Sequence, residues 1–383
     1  MTMTINNEHK KLNFSNEREQ SQACLNSAEH EKNQGRKVLN VPNLRFKEFE
    51  GEWVGKTIGD ITPLQRGFDL PTGQINNGKF PVVYSNGIMN YHSSYKCVAP
   101  GLITGRSGTI GKFTYIEDGY YWPHNTSLWV TNFYDNNPKF IYYLFQTIRI
   151  GQYSTGSGVP TLNRNNVHRH QTFIPKLEEQ KEIATFLSLL DERIATQNKI
   201  IDKLLSLIKG IRNKLFENDK DWRKAKIREF LCIGNGKDYK HLDIGDIPVY
   251  GTGGKMLSVN DFLYDGDSVC IGRKGTIDTP LFLTGKFWTV DTLFYTYGFK
   301  DVLPKFCYYL FKQINWQLYN EGTGVPSLSK STIENIKVRI PSIVQQYKIC
   351  YILDSYEDKI KNEGLILDLY CSQKQYLLRQ MFV

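Results

Sequence analysis

Two arginines set between glycines are the residues here whose type and spacing best suit a ligand. They lie in Gly105-Arg106-Ser107-Gly108 and Gly272-Arg273-Lys274-Gly275. Glycine lets a backbone approach a ligand closely, and an arginine beside it suits a phosphate or a guanine edge. An arginine held by a local carboxylate on a tight turn is the alternative reading. The glycines of GRSGTIG stand three apart, which is not the spacing of a dinucleotide fingerprint. The GTGGKM stretch at Gly251 lacks the upstream glycine of a phosphate loop and its hydroxyl residue after lysine. His168 and His170 flank Arg169 with no third ligand nearby, so a surface or DNA-facing role suits them better than a metal. No Ser/His/Asp arrangement stands out. The chain reads as non-catalytic and without a metal.

What these side chains could do instead is grip or read nucleic acid. The first half offers Asn86, Asn90, Tyr91, His92, Arg106, Ser107, Lys112, Asn163, Arg164, Asn165 and Arg169. The second half offers Lys240, Thr252, Lys255, Arg273, Lys274 and Lys330. Asparagine can bridge adenine N6 and N7, and arginine can hold guanine or phosphate. Ordinary solvated loop polarity is the alternative for any one of them. A formal net charge of +9 and a pI near 9.0 favour a polyanionic partner, most commonly nucleic acid. A charge that serves solubility is the other reading.

These residues sit in a chain that repeats itself. GSGVPTL (Gly156 to Leu162) returns as GTGVPSL (Gly322 to Leu328), and KFIYYLF (Lys139 to Phe145) as KFCYYLF (Lys305 to Phe311), both 166 residues on. GRSGTI and GRKGTI are 167 apart, and Trp53 and Trp222 are 169 apart. So steady an offset marks a tandem duplication. Features common to both halves should serve common tasks, and those that differ should discriminate bases if the half-sites differ. GSGVPTL is common and reads as mainly structural, with Gly158 and Gly324 shaping a turn and Val-Pro extending the chain. Its hydroxyls, Thr161 among them, could still touch phosphate. The divergent stretches are YSNGIMNYHSSYK against GTGGKMLSVNDF, and NRNNVHRH against SKSTIENI.

The elements that position these loops can be drawn in outline. Residues 1–40 are polar and read as a flexible leader. Residues 41–175 and 221–341 are dense in Gly, Thr, Tyr and Val, with alternating runs that predict strands. Asn137-Pro138 and Leu303-Pro304 each introduce a helix. The fold class is therefore an α/β (α+β) tandem repeat of two globular domains with curled mixed sheets. Residues 176–220 and 342–383 instead predict one long helix each. Ile183, Leu187, Leu190, Ile194, Gln197, Ile201, Leu204, Ile208, Ile211 and Leu215 step by four and three, a heptad seam with one polar member. The repeat places Ile349, Leu353, Tyr356, Ile360, Glu363, Leu367, Tyr370, Lys374, Leu377 and Met381 on a second seam, weaker at Lys374, with Glu363 polar where Gln197 is polar. The two helices are expected to pair as an antiparallel coiled coil in a pseudo-two-fold arrangement. The first would be a rod on the order of 58 Å long at 1.5 Å per residue. Each helix lying alone on its own domain is the alternative. The seven cysteines include no CxxC pair, and no apolar run nears 18 residues, so a soluble cytoplasmic protein with reduced thiols is the default.

Taken together, GSGVPTLNRNNV, IPKLEEQKEIATFLSLLDERI, their partners GTGVPSLSKSTI and IPSIVQQYKICYILDSYEDKI, and the leading VPNLRFKEFEGEW resemble the specificity (S) subunit of type I restriction–modification systems. The resemblance covers about Val41 to Val383. It implies two target recognition domains, each reading one half of a gapped DNA sequence. It further implies that the helices act as a spacer and dock two modification (adenine methyltransferase) subunits. S-adenosylmethionine would bind in those subunits; two restriction (endonuclease/translocase) subunits, using ATP and Mg, could join. This chain would carry no cofactor. A methyltransferase in its own right would need a Gly-rich cofactor loop and an N/D-P-P-Y/F motif. NNPKF at Asn136 comes nearest and is better explained as a helix cap. A transcription factor with two DNA-binding domains is the competing binder.

Overall fold

The computed structural model describes residues 40–155, 158–217 and 221–383. The flexible leader expected for residues 1–40 thus lies almost wholly outside the described residues, as do Gly156 and Ser157 of the first GSGVPTL copy. The chain divides into two compact units, one running through Leu190 and including Ser372–Val383, the other Asp191–Cys371.

In the first unit, four strands run in the order Leu64–Arg66, Ser127–Val130, Gly101–Gly105, Phe113–Ile116, all antiparallel. Gly101–Gly105 is buried at every residue, which suits its short apolar run GLITG. A second sheet orders Gly87–His92, Phe80–Tyr84, Tyr120–Pro123 and Cys97–Val98, with the middle pair parallel. A ribbon of Val54–Thr57 against Gln171–Ile174 closes the set. Asn137 caps the Pro138–Thr147 helix by accepting from the Phe140 N–H at 2.9 Å, and Phe140, Ile141, Tyr143, Leu144 and Phe145 are buried. Each such side chain contributes about 1.5–3 kcal/mol on leaving water.

The second unit repeats this order strand for strand. Cys232–Asn235, Leu293–Tyr297, Ser268–Gly272 and Leu281–Leu283 form one sheet, and Gly254–Val259, Ile244–Gly251, Lys286–Thr289 and Tyr264–Asp265 the other. Arg223–Lys226 pairs with Lys337–Ile340, and the Pro304–Phe311 helix buries Phe306, Cys307, Tyr309, Leu310 and Phe311. The tandem fold expected from the duplication is borne out. The NRNNVHRH and SKSTIENI stretches, treated above as loops, instead contain the short helices Arg164–His168 and Lys330–Asn335. Asn163 and Ser329 cap them, and Val167 and Ile333 face the core, a single apolar residue per turn that gives little periodicity to see.

Two long helices, Leu177–Glu217 and Ile343–Gln380, follow the two domains in sequence. Within the second unit they pair antiparallel. Gln197 meets Glu363, while Ile208, Ile211 and Leu215, further along the first helix, pack on a core containing Ile349 and Leu353, earlier on the second. Every seam position named above is buried or half-buried. The Gln197 and Glu363 layer is a real contact: the Gln197 amide donates to the Glu363 carboxylate at 2.6 Å and to its backbone carbonyl at 3.0 Å.

A glutamine pins the start of each long helix to its domain. Buried Gln180 donates to the Asn136 side chain and the Pro175 carbonyl, and accepts from the Asn137 N–H. Gln346 makes the same set with the Asp301 and Pro341 carbonyls and the Leu303 N–H. In the first unit Arg45 adds a two-pronged ion pair to buried Glu179, at 2.7 and 2.8 Å. That hydrogen-bonded pairing holds the guanidinium pKa above its ordinary value.

Candidate nucleic-acid interface

Three loops converge at the same place in each unit, and two of them are the duplicated motifs. In the first unit the Leu162 N–H donates to the Arg106 carbonyl at 2.7 Å, and the Gly108 N–H to the Pro160 carbonyl at 3.1 Å. Ser107 bridges Thr161. In the second, Leu328 donates to Arg273 at 2.9 Å, Gly275 to Pro326 at 2.8 Å, and Lys274 bridges Ser327. The Val-Pro-Thr/Ser-Leu segment is therefore a rail along which the arginine loop is tied by its backbone. Among the described residues, no carboxylate pairs with either arginine side chain.

The glycines of the arginine loop are required by space. A Cβ on Gly105 would lie 1.6 Å from the Thr109 carbonyl oxygen, and one on Gly272 would lie 2.0 Å from that of Thr276. Gly108 and Gly275 have φ of 85° and 95°, where side-chain-bearing residues are strained. A Cβ on Gly158 or Gly324 would meet nothing within 4 Å, whereas one on Gly322 would sit 2.1 Å from the Val325 carbonyl oxygen.

The third loop is a hairpin turn, Tyr84–Gly87 or Gly251–Gly254. Gly108 faces the Ser85 hydroxyl and Gly275 faces that of Thr252, each under 4 Å from where a Cβ would stand. Sequence reading passed over a fourth contributor, the Thr126/Thr292 pair, whose carbonyls accept the Arg106 and Arg273 N–H groups at 2.8 Å each. The constant offset, visible in Trp122/Trp288 and Thr126/Thr292, would have found it.

The proposed contact residues fall into distinct groups. Asn86 and Lys112 belong to the first cluster: Lys112 donates to the Asn86 carbonyl at 2.6 Å, and both are exposed. Asn90 and Tyr91 are exposed along the strand after the hairpin, Asn90 donating to the Tyr84 hydroxyl at 3.2 Å. His92 is a correction. It is 6% exposed, accepts from the Asn76 N–H through Nδ1, and stands edge-on to Trp122, so it supports the fold and does not face a ligand. Asn163 spends its side-chain oxygen capping its helix, while Arg164, Asn165 and Arg169 are exposed around it.

The neighbouring His168 and His170 also look inward, His168 Nε2 accepting from the Leu64 N–H and His170 Nδ1 bonding the Tyr153 hydroxyl. Burial lowers both imidazoles below their ordinary pKa, so neither supplies positive charge at neutral pH. No group of three or more metal-ligating side chains occurs among the described residues.

In the second unit Thr252, Arg273 and Lys274 lie in the cluster, and Lys255 is exposed on the strand that leaves the hairpin. Arg273 donates to the Asp291 carbonyl at 3.4 Å, and no carboxylate among the described residues pairs with it. Lys240 is exposed, and Lys330 sits 3.7 Å from Glu334.

Comparison with known proteins now places this doubled architecture. The type I restriction modification DNA specificity domain matches twice, over residues 50–206 and 219–368. The chain belongs to this family. It is 23% identical over 334 residues to a Haemophilus influenzae protein bearing the name of a type I restriction enzyme specificity subunit, covering 78% of this chain and 86% of that one. Its fold is similar to the type I restriction-modification S subunit from M. genitalium, with TM-score 0.62 at 19% identity over 90% of this chain and 99% of the other. It is also similar, at TM-score 0.53 and 13% identity over 85% and 96% of the two chains, to a structure described as underlying complex assembly and conformational transition of the type I R-M system. The chain is thus a DNA specificity subunit of a type I system. Among the described residues, no helix is long and apolar enough to cross a membrane.

Proposed function

We propose that each unit reads one half of a bipartite double-stranded DNA target, and that the paired helices set the unread gap between the halves. The observation that carries this reading is the duplicated loop cluster: the same backbone-tied arginine loop, rail and hairpin occur in both units, while the side chains they present differ. On this reading Arg106 and Arg273 would meet a phosphate or a guanine edge. The divergent hairpin positions are Asn86, Asn90 and Tyr91 in the first unit and Thr252 and Lys255 in the second.

The chain itself is non-catalytic on this reading, with S-adenosylmethionine bound in two modification subunits and ATP with Mg in restriction subunits. The long helices support that assembly, because they carry large apolar side chains in water: Tyr351 is 80% exposed, Leu369 68% and Tyr347 61%. Exposed apolar groups one helical turn apart, as Tyr347 and Tyr351 are, are a mark of a protein contact. Tyr351→Glu, or bulky changes at exposed Glu182, Arg193 and Lys199, should release a co-expressed modification subunit on purification. Retention of the subunit by all of them would remove the helices as its dock. Incubating the pure chain with DNA and labelled S-adenosylmethionine should transfer no methyl group, and transfer by the chain alone would refute the non-catalytic role.

A further inference from the structure

The ribbon that closes the second unit carries a charge pattern that folding alone would not choose. In its antiparallel register Lys224 lies opposite Arg339 and Lys226 opposite Lys337. Directly opposed residues share one face, so four cations stand together, while Ala225, Val338 and Ile340 on the other face pack into the core. Like charges directly opposite destabilise a strand pair. Glu229 is the acid at the next turn, and its carboxylate accepts the backbone N–H of Lys226 at 3.0 Å. Among the described residues, Lys224, Lys226 and Lys337 have no ion-pair partner.

The same ribbon in the first unit shows that the cations are not needed to build it. Val54–Thr57 against Gln171–Ile174 carries one, Lys56, opposite Thr172. The charged ribbon also adjoins the loop cluster along the chain: Leu328, tied to Arg273, leads through the helix bearing Lys330 into Lys337. We infer that this face of the second unit is an additional contact to the DNA phosphate backbone, an inference that rests on the DNA-reading function above. An acidic protein partner docked once on each repeat would meet the same chemistry twice. The charge occurs on one repeat only, as a grip on an asymmetric DNA target allows. Phosphate contacts position a protein without reading sequence, so this face would strengthen the hold of one half-site without changing its bases.

The experiment is the salt dependence of duplex binding by the full chain co-expressed with its modification subunit. It compares the unaltered chain with Lys226→Gln and with Lys224→Gln/Lys226→Gln/Lys337→Gln. Each lost phosphate contact lowers the slope of log K against log salt by about 0.9. Lys226→Gln should therefore flatten the slope by about one, and the triple variant by about two to three. Binding to cognate and unrelated duplexes should weaken alike, and thermal stability should be equal or higher once the opposed charges are gone. An unchanged slope in a folded triple variant overturns the inference while leaving the DNA-reading function standing. Loss of the modification subunit with an unchanged slope also overturns it, by making the ribbon a protein contact. Absence of DNA binding by the unaltered assembly would refute both.

Discussion

At the scale of residues, the arginine loops separate two duties that sequence alone cannot part. Their glycines make the path of the backbone, and their arginines are free to meet a ligand. Arg106→Ala and Arg273→Ala should each weaken DNA binding by about 1–3 kcal/mol with melting temperature unchanged, read by binding isotherms beside thermal melts. Gly105→Ala and Gly272→Ala should instead destabilise their units, because the added methyl would meet a carbonyl oxygen. Glu357 offers a test of the joint between helix and domain, where Lys312 and Lys305 pair with it at 2.9 and 3.3 Å. Burial pushes its pKa up, but the hydrogen bond and charge of Lys312 and the charge of Lys305 outweigh that and leave it lowered. A lowered carboxylate stabilises above its unfolded pKa, about 4.3, and that stability is lost as pH falls through the folded value. Glu357→Gln should therefore cost about 1–2 kcal/mol at neutral pH, and the gap to the unaltered chain should close below about pH 4. A gap independent of pH would mean the pairing contributes nothing.

At the scale of elements, the heptad seam was the most legible part of the sequence, since its period is set by helix geometry and its burial follows directly. Gln197 and Glu363 could be named as one polar layer because they share a seam position 166 residues apart, and they do meet. A buried polar pair can fix helix register at some expense of stability. Gln197→Ala leaves the Glu363 carboxylate short of a donor and should cost about 1–3 kcal/mol. Replacing both by leucine should recover most of that, as chemical denaturation would show. The contact residues were less legible. His92 alternates with Tyr91 along one strand, and only the burial of that strand's end decides which of them faces water. Asn163 looked like a base reader because capping and base contact call for the same side chain. His168 and His170 gave no hint that their rings were already engaged by Leu64 and Tyr153, partners distant or modest in sequence.

At the scale of the whole molecule, the duplication carried the fold, because an internal repeat supplies the comparison that a single copy lacks. On the proposed function, it also says what each half should do to the target. If the helices set the gap, four extra residues after Gln197 and four after Glu363 nearly preserve the seam and add roughly 6 Å. The gap should then grow by about one to two base pairs at 3.4 Å each, with both half-sites unchanged. The central claim, that each unit reads its own half, is tested most directly by sequencing methylated bases in a host carrying this chain with its modification subunit. The same host would then carry Asn86→Ala/Asn90→Ala, altered only in the first hairpin. The account predicts a bipartite motif with an unread gap, and a variant motif relaxed in one half with the other half and the gap intact. A continuous motif, or both halves changing together, would contradict it.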